Sequence, residues 1–300
     1  MILETFAKER NTSLNSSMQI FLVSLAILLY NPFTVAAAAA RELITIERQD
    51  GKSTNAMVYK PSAGECQGVA LISHGAGGSE KGYAYLGAAM ADDGYLALVV
   101  GHHESGPQAV QAQIRGKSVS EGLSNLITES KAYQARFMDL SAAKEWALGQ
   151  CNSKVAVLLG HSMGAATVMM AAGARNKLNI SQMPAYSAYI ALSPQGSGLI
   201  FPDNAWREIQ HPVLMLTGTK DQELGGLSWE SRTEPFMNMQ AGCKWLGVVD
   251  GATHMNFAGF GASKKTEDLT IQVIRDFING IKTTDCRPTM QMSGITLSVK

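Results

Sequence analysis

The chain has 300 residues, of which 46% are hydrophobic and 17% are charged, and its formal net charge is zero. So many apolar and so few charged side chains exclude an intrinsically disordered chain and indicate a folded core. Because the charges balance and no long basic run occurs, nothing in the electrostatics favours nucleic-acid binding. The composition therefore predicts a globular protein that binds no nucleic acid, with a length that suits one large domain or two smaller ones.

The N-terminal segment, residues 1–40, has the pattern of a secretory signal peptide. Lys8 and Arg10 precede a short apolar run at residues 20–30, and an alanine-rich stretch with sites for a signal peptidase follows. We predict cleavage of this segment and a secreted or periplasmic protein that keeps no stable membrane span. An uncleaved N-terminal membrane anchor and a start at Met18 are the alternatives.

Residues 41–300 are predicted to form one domain that begins with a strand hairpin. Eight apolar stretches have the length and composition of strands. The predicted strands cover residues 42–48, 56–59, 69–73, 95–100, 155–159, 189–192, 213–216 and 245–249. The predicted helices cover residues 83–92, 132–148, 165–174 and 266–281, and residues 102–128 are predicted to be a polar loop with one short helix.

From residue 68 onward, predicted strands and helices alternate along the chain. That alternation is typical of a mostly parallel sheet with helices on both faces, here with eight strands. Ligands of such α/β proteins bind beyond the carboxyl ends of the strands. We therefore expect functional side chains in the segments that directly follow strands.

The segment Gly160-His161-Ser162-Met163-Gly164 lies between a predicted strand and a predicted helix. A sharp strand-to-helix turn of this kind needs glycine on either side of the serine, because a side chain there would strike a neighbouring element. The turn exposes the serine hydroxyl and places helical N–H groups beside it, which favour negative charge. Ser162 is thus the candidate nucleophile, and an ordinary turn serine is the alternative.

A serine needs a base to take its proton and an acid to orient that base. His254 follows the last predicted strand in a glycine-containing turn and is the candidate base. Asp221 follows the preceding strand and is the candidate acid, with Glu223 and Asp250 as rivals. The order Ser, Asp, His along the chain is the order that α/β hydrolases use.

A second donor to the substrate oxygen is expected from the glycine-rich loop at residues 74–78. Its glycines let the backbone approach a substrate carbonyl closely. We predict that the backbone N–H groups of Ala76 and Met163 form the oxyanion hole. Trp229 and Pro194 are candidate substrate-binding residues, with core packing as the alternative. The adjacent histidines in His102-His103-Glu104 would point to opposite faces of a strand, so no metal site is predicted there.

These motifs together resemble the α/β-hydrolase superfamily over roughly residues 41–284. The most similar branch is that of the dienelactone-hydrolase-like enzymes, which includes polyester hydrolases of the cutinase type and enzymes similar to platelet-activating-factor acetylhydrolase. The resemblance implies an α/β-hydrolase fold and a serine esterase with the triad Ser162, Asp221 and His254.

The chain also departs from these relatives in three ways. Dienelactone hydrolases proper carry a cysteine nucleophile, where this chain has Ser162. Polyester hydrolases carry an aromatic residue where this chain has Ala76, so polymer hydrolysis is not implied. Only a short segment, residues 195–210, separates the sixth and seventh predicted strands, which predicts that a large helical cap is absent.

In the fold that the resemblance implies, the four cysteines fall into two pairs at the edge of the sheet opposite the candidate site. Cys66 and Cys151 precede neighbouring strands, and Cys243 and Cys286 also meet at that edge. We predict these two disulfides, which suit an exported protein.

The predicted function is hydrolysis of a small-molecule or lipid-like carboxylic ester through an acyl-enzyme on Ser162, without cofactor or metal. Acyl transfer or cofactor-free perhydrolysis by the same triad is one alternative. A non-catalytic binding domain with this fold is the other, because fold alone does not fix function.

Overall fold

The structure is a computed structural model that describes residues 41–62, 64–181, 184–223 and 225–300. The predicted signal peptide lies outside the described residues and stays a prediction. None of the described helices is long and apolar enough to cross a membrane.

The centre of the fold is one nine-stranded sheet with the order β1-β2-β4-β3-β5-β6-β7-β8-β9. β3 to β8 run parallel, whereas β1, β2 and β9 join antiparallel at the two sides. The strands are β1 (Arg41–Glu47), β2 (Ser53–Tyr59), β3 (Gly68–Ser73), β4 (Tyr95–Val100), β5 (Ala156–His161), β6 (Ala188–Leu192), β7 (Val213–Lys220), β8 (Lys244–Thr253) and β9 (Ile295–Val299).

Helices cover both faces of this sheet, as the alternating pattern predicts. The helices are α1 (Ala84–Asp92), α2 (Pro107–Ile114), α3 (Val119–Ile127), α4 (Ser130–Gln150), α5 (Met163–Ala171), α6 (Glu234–Asn238) and α7 (Lys264–Thr283). α4 and α5 pack on one face, where Phe137 and Met169 belong to the first core cluster. α1 and α7 pack on the other, where Leu86 and Phe277 belong to the second. The predicted α/β-hydrolase architecture is confirmed.

The C-terminal strand β9 was not predicted, so the expected count of eight strands is one too low. β9 pairs antiparallel with β8, from Trp245 opposite Val299 to Val249 opposite Ile295. Ile295, Leu297 and Val299 alternate with polar residues, which is the usual signal of a half-exposed strand. The strand follows the closing helix and a polar stretch, which separates it from the alternating pattern that defined the other strands.

The stretch at residues 102–128 holds more helix than the single short one predicted. A 3₁₀ turn, His103–Ser105, leads into α2, and α3 follows. Pro107 is the first residue of α2, a position where its missing N–H costs nothing. The Ser118 side chain caps α3 by accepting from the backbone N–H of Glu121. These local capping signals outweigh the polar composition that suggested a loop.

The connection between β6 and β7, residues 193–212, contains no helix, only turns and one isolated bridge between Ser197 and Phe201. The expectation that no large cap lies over the sheet is therefore met in this described segment.

Both predicted disulfides are present, Cys66–Cys151 and Cys243–Cys286. Cys66 lies before β3 and Cys151 follows α4, so the first bridge joins the N-terminal ends of two adjacent strand segments. The second bridge ties the start of β8 to the segment after α7. Each bridge therefore links regions that are distant along the chain.

We expect a Cys66→Ala/Cys151→Ala variant to lose about 4 kcal/mol of unfolding free energy, because the bridge closes a loop with a sequence separation of 85 residues. Cys243→Ala/Cys286→Ala, with a separation of 43, should lose about 0.6 kcal/mol less. Urea denaturation measures both. Identical unfolding midpoints for the wild type with and without reductant would contradict the expectation.

Candidate active site

The turn between β5 and α5 places Ser162 in a conformation that L residues rarely adopt. Its backbone has φ 56° and ψ −116°, and its N–H donates to the carbonyl of Leu192 at 3.0 Å. Such strain persists only where the surroundings impose it, and it concentrates at functional sites. The serine is partly exposed, whereas His161 and Met163 on either side of it are buried.

The two glycines of the turn are required by backbone contacts on both sides. A Cβ on Gly160 would lie 2.3 Å from the carbonyl oxygen of Gly164. A Cβ on Gly164 would lie 2.0 Å from the carbonyl oxygen of Ser73, at the end of β3. The turn therefore packs directly against the neighbouring strand. This confirms that a side chain at either glycine position would strike a neighbouring element.

His254 and Asp221 meet at the same edge of the sheet. The Nδ1 atom of His254 is 2.8 Å from Oδ1 of Asp221, whose side chain is fully buried, while 30% of the His254 side chain is exposed. His254 begins a 3₁₀ turn directly after β8, which runs further than predicted, to Thr253. The turn is fixed by a capping box between Thr253 and Asn256.

The two rival carboxylates are engaged elsewhere. Glu223 accepts from the backbone N–H of Gly196 and from the hydroxyl of Ser231, both at 2.9 Å. Asp250 is exposed and lies 3.4 Å from the hydroxyl of Thr219. Of the three carboxylates considered, only Asp221 hydrogen-bonds to His254.

Asp221 is held in its charged form by three partners. Burial raises the pKa of its carboxyl, but the hydrogen bond from His254 and the charge of Arg232 outweigh burial, so the pKa lies below its usual value. The hydroxyl of Thr217 donates to Oδ2 at 2.9 Å. Asp221 is therefore ionised at neutral pH and can accept a hydrogen bond from the Nδ1–H of His254.

Arg232 is a site residue that the sequence did not reveal. It is 2% exposed, its Nε lies 2.9 Å from Oδ1 of Asp221, and its Nη2 lies 3.3 Å from Nδ1 of His254. Its Nη1 also donates to the carbonyls of Ser193 and Pro194, each at 3.0 Å. An arginine eleven positions beyond Asp221 carries no motif, so only the folded chain shows that it braces the acid.

The glycine-rich loop after β3 packs directly against the turn that carries the serine. A Cβ on Gly75 would lie 3.3 Å from Cβ of Ser162. Arg136, fully buried on α4, donates to the carbonyls of His74 at 2.7 Å and Gly75 at 3.5 Å. Because these carbonyls are held, the peptide leading into Ala76 has a fixed orientation beside the serine.

Arg136 is in turn fixed by a second Ser-His-Asp arrangement. The hydroxyl of Ser73 accepts from Arg136 at 3.1 Å and lies 2.9 Å from Nε2 of His102, whose Nδ1 lies 2.9 Å from Asp139. Burial lowers the pKa of His102 well below its ordinary value, so the ring is neutral. Ser73 and Asp139 are fully buried, and His102 is 3% exposed. The serine and the aspartate of this set have no exposed surface, and the set supports the glycine-rich loop through Arg136.

The remaining residues of the His102-His103-Glu104 segment point elsewhere. His103 is exposed, and Glu104 pairs with Arg48 at 3.1 Å. Among the described residues, no group of three or more His, Cys, Asp or Glu side chains is arranged to hold a metal ion.

The serine turn meets His254 through His161, the residue that precedes the serine. Among the described residues, no hydrogen bond joins the Ser162 hydroxyl to the His254 ring. The ring of His161, which precedes the serine, lies 4.7 Å from the His254 ring between centroids, and its Nε2 lies 3.0 Å from the His254 carbonyl. Catalytic hydrogen bonds are often long in a ligand-free site and shorten when substrate binds.

The sequence matches a known family over most of its length. The family model of the dienelactone hydrolase family matches residues 54–267, which include Ser162, Asp221 and His254. The chain belongs to the dienelactone hydrolase family.

Two sequence relatives of this dienelactone hydrolase family member are cutinases of Thermobifida alba. Cutinase est1 is 25% identical over 60% of this chain and 50% of its own length, and cutinase est2 is 24% identical over 66% and 56%. The chain thus spans about half the length of these relatives.

Two solved structures share its fold at 18% sequence identity. A cold-adapted esterase from an Arctic intertidal metagenomic library has a TM-score of 0.55, with 79% of this chain and 94% of the esterase covered. A Klebsiella pneumoniae protein assigned to the dienelactone hydrolases has a TM-score of 0.61, with coverages of 81% and 99%.

In this family member, the two candidate substrate-binding residues differ in their surroundings. Pro194 is buried, with its carbonyl bound by Arg232. Trp229 is half-buried and lines a cavity of about 390 Å³ whose other walls are Thr219, Val248, Asp250, Gly294, Ile295 and Thr296. That cavity is lined by none of the three candidate catalytic side chains, so a role of either residue in substrate binding stays a prediction.

Replacing Gly164 with alanine tests whether the turn packs too tightly against β3 to admit a side chain. We expect Gly164→Ala to lose about 1–3 kcal/mol of unfolding free energy, because the new methyl group meets rigid backbone of β3. Gly149→Ala is the matched control, since a Cβ there meets nothing within 4 Å in α4. The control should be neutral or up to about 1 kcal/mol more stable. Equal urea midpoints for Gly164→Ala and the wild type would contradict the packing argument.

Proposed function

We propose that the chain is a serine esterase that cleaves carboxylic esters through an acyl-enzyme. In this proposal Ser162 is the nucleophile, His254 the general base and Asp221 the acid that orients it. The backbone N–H groups of Ala76 and Met163 receive the charge on the carbonyl oxygen. The observation that carries the proposal is a strained, partly exposed serine in a turn that contacts, through His161, a histidine whose Nδ1 is bound to a buried carboxylate.

The first half of the reaction forms the acyl-enzyme. Because Nδ1 of His254 donates to Asp221, Nε2 carries the lone pair and takes the proton of the Ser162 hydroxyl. The serine oxygen attacks the ester carbonyl, and the new negative charge is stabilised at the start of α5. His254 then gives its proton to the departing alkoxide, which leaves as an alcohol.

The second half of the reaction releases the acid. Water takes the place of the alcohol, His254 removes a proton from it, and the resulting nucleophile attacks the acyl carbonyl. Collapse of the intermediate returns the proton to Ser162 and frees the carboxylic acid. No step requires a group beyond water and these side chains.

The substrate that we propose is a small-molecule or lipid-like ester. The cutinase relatives and the esterase neighbour support ester cleavage as the reaction class. Residues 193–212 form no helical cap, so the acyl and alcohol parts reach the site from an open edge. The two disulfides and the leader-like segment at residues 1–40 support an exported enzyme.

Ser162→Ala should abolish the hydrolysis of p-nitrophenyl esters, with a loss in kcat on the order of 10⁶-fold. A fluorophosphonate should label the wild type and not the variant. Ser124→Ala on α3 is the control and should retain full activity. Wild-type chain that shows neither turnover over a range of acyl lengths nor labelling would favour the non-catalytic binding domain instead.

Asp221→Asn should reduce kcat on the order of 10⁴-fold, because an amide no longer selects the productive tautomer of His254. Glu223→Gln and Asp250→Asn replace the rival carboxylates and should stay within about threefold of the wild type, a difference of under 1 kcal/mol. Steady-state kinetics on one p-nitrophenyl ester compares the three variants. A larger loss in Glu223→Gln or Asp250→Asn than in Asp221→Asn would reassign the acid.

A further inference from the structure

Two buried side chains connect the three parts of the proposed site. Tyr83 precedes α1 and is 6% exposed, and His161 precedes the serine and is 3% exposed. The Tyr83 hydroxyl lies 3.1 Å from the backbone N of Gly75 and 2.9 Å from Nδ1 of His161. On the other side of the His161 ring, Nε2 lies 3.0 Å from the carbonyl oxygen of His254.

The positions of the protons along this series of hydrogen bonds follow from the groups at its two ends. The His254 carbonyl can only accept, so Nε2 of His161 carries the proton. The N–H of Gly75 can only donate, so the Tyr83 oxygen accepts it and turns its own proton toward Nδ1 of His161. Both ends require the same tautomer of His161, and each hydrogen bond points in one direction, from the glycine-rich loop to His254.

The burial of both groups keeps these protons in place. Burial lowers the pKa of His161 well below its ordinary value, and the nearby His254 lowers it further, so the ring stays neutral. Burial raises the pKa of Tyr83 to about 12, so the hydroxyl keeps its proton. Hydrogen bonds aligned in one direction also strengthen one another in a poorly solvated interior.

Tyr83 itself is held in a demanding conformation. Its φ is 54°, in the left-handed region, and its carbonyl accepts from the N–H groups of Leu86 and Gly87 at the start of α1. A bulky residue adopts that region at a cost, which the surroundings must offset. The strained backbone places the hydroxyl between the glycine-rich loop and the serine turn.

We propose that Tyr83 and His161 are positioning residues that set the spacing of the oxyanion loop, the Ser162 turn and the His254 backbone through this one-directional hydrogen-bonded relay. The inference rests on the proposed function, because it concerns the geometry of that same site. The ring of His254 is oriented by Asp221, whereas its backbone is held by His161. Loss of the relay would leave the ring bound to its acid but displaced from the serine.

Histidine-ring ¹⁵N NMR tests the relay without any need for activity. His161, identified by its loss in His161→Gln, should show a protonated Nε2, an unprotonated Nδ1 and no titration between about pH 5 and 8. In Tyr83→Phe, the donor to Nδ1 is gone, so the ¹⁵N shift of Nδ1 should move toward that of an unbonded ring nitrogen, while Nε2 keeps its proton because the His254 carbonyl still accepts from it. A His161 ring that titrates like a free histidine, or that is unchanged in Tyr83→Phe, would overturn the proposal.

Kinetics tests whether the relay positions the catalytic groups. Tyr83→Phe should lower kcat by up to about 10²-fold, the cost of misplacing reacting groups, and leave KM within about threefold. His161→Gln, whose amide can both accept and donate, should retain more activity than His161→Leu. Tyr186→Phe is the control: this buried hydroxyl has no hydrogen-bond partner among the described residues, and kcat should stay within about twofold.

A double variant separates a relay from two independent contacts. If the two side chains act as one unit, Tyr83→Phe/His161→Leu should be no slower than His161→Leu alone. If the losses in kcat of the two single variants multiply in the double variant, the relay is overturned. Full kcat in Tyr83→Phe while Ser162→Ala is inactive would also overturn it. Either result leaves the esterase proposal intact. If the wild type hydrolyses no ester, the proposed function fails, and the NMR result still decides whether the relay exists. Thermal unfolding of each variant shows whether it is folded.

Discussion

The contact on which the site depends is the approach of backbone to backbone between the serine turn and the end of β3. No side chain fits at Gly164, because the Ser73 carbonyl occupies the space that a Cβ would need. The strained backbone of Ser162 lies in this tightly packed turn, and the glycine-rich loop packs beside it. The packing of β3 and β5 offsets the energetic cost of this strained backbone, because both strands are buried along their whole length and are held rigidly. The serine turn and the glycine-rich loop are thus packed together by the sheet itself.

Two buried arginines brace the flanks of this contact, and they do so in different ways. Arg136 binds carbonyls of the glycine-rich loop and the hydroxyls of Ser73 and Ser105, so it acts on neutral groups. Burial lowers its pKa to about 10, which leaves it charged at neutral pH. Arg232 acts on a charge, because it faces the carboxylate of Asp221. A buried guanidinium is costly unless its N–H groups are bonded, and both arginines bond several partners in a fixed geometry. Their contribution is the orientation of the groups they hold rather than net stability.

The sequence predicted those parts of the fold and site that local pattern determines. Strand and helix alternation defined the central sheet, and the Gly160 to Gly164 motif and the residues that follow β7 and β8 were predicted from their position after strands. The count of strands was wrong because β9 lies beyond the closing helix and is half-exposed, with only five residues. The roles of the buried residues that hold the site in place could not be predicted, for another reason. Arg136 and Tyr83 act on a loop to which no motif links them, and Arg232 looks like any other charged residue of a polar segment. Their roles depend on burial in the folded chain, which the local hydrophobic periodicity of the sequence does not encode.

The position of His254 shows how local and distant constraints combine in one residue. Along the chain, the Thr253–Asn256 capping box fixes where the 3₁₀ turn begins. Across the sheet, Asp221 holds one ring nitrogen while Arg232 approaches the same nitrogen at 3.3 Å. A protonated Nδ1 and a guanidinium both donate, and Oδ1 of Asp221 lies 2.8 Å from Nδ1 of His254 and 2.9 Å from Nε of Arg232. The arginine therefore balances the charge of Asp221 without displacing the imidazole, and Nε2 is the ring nitrogen that is not bound to the carboxylate. The same balance keeps Asp221 ionised despite its complete burial. Its carboxylate can therefore accept the hydrogen bond from Nδ1 of His254 and fix the orientation of that ring.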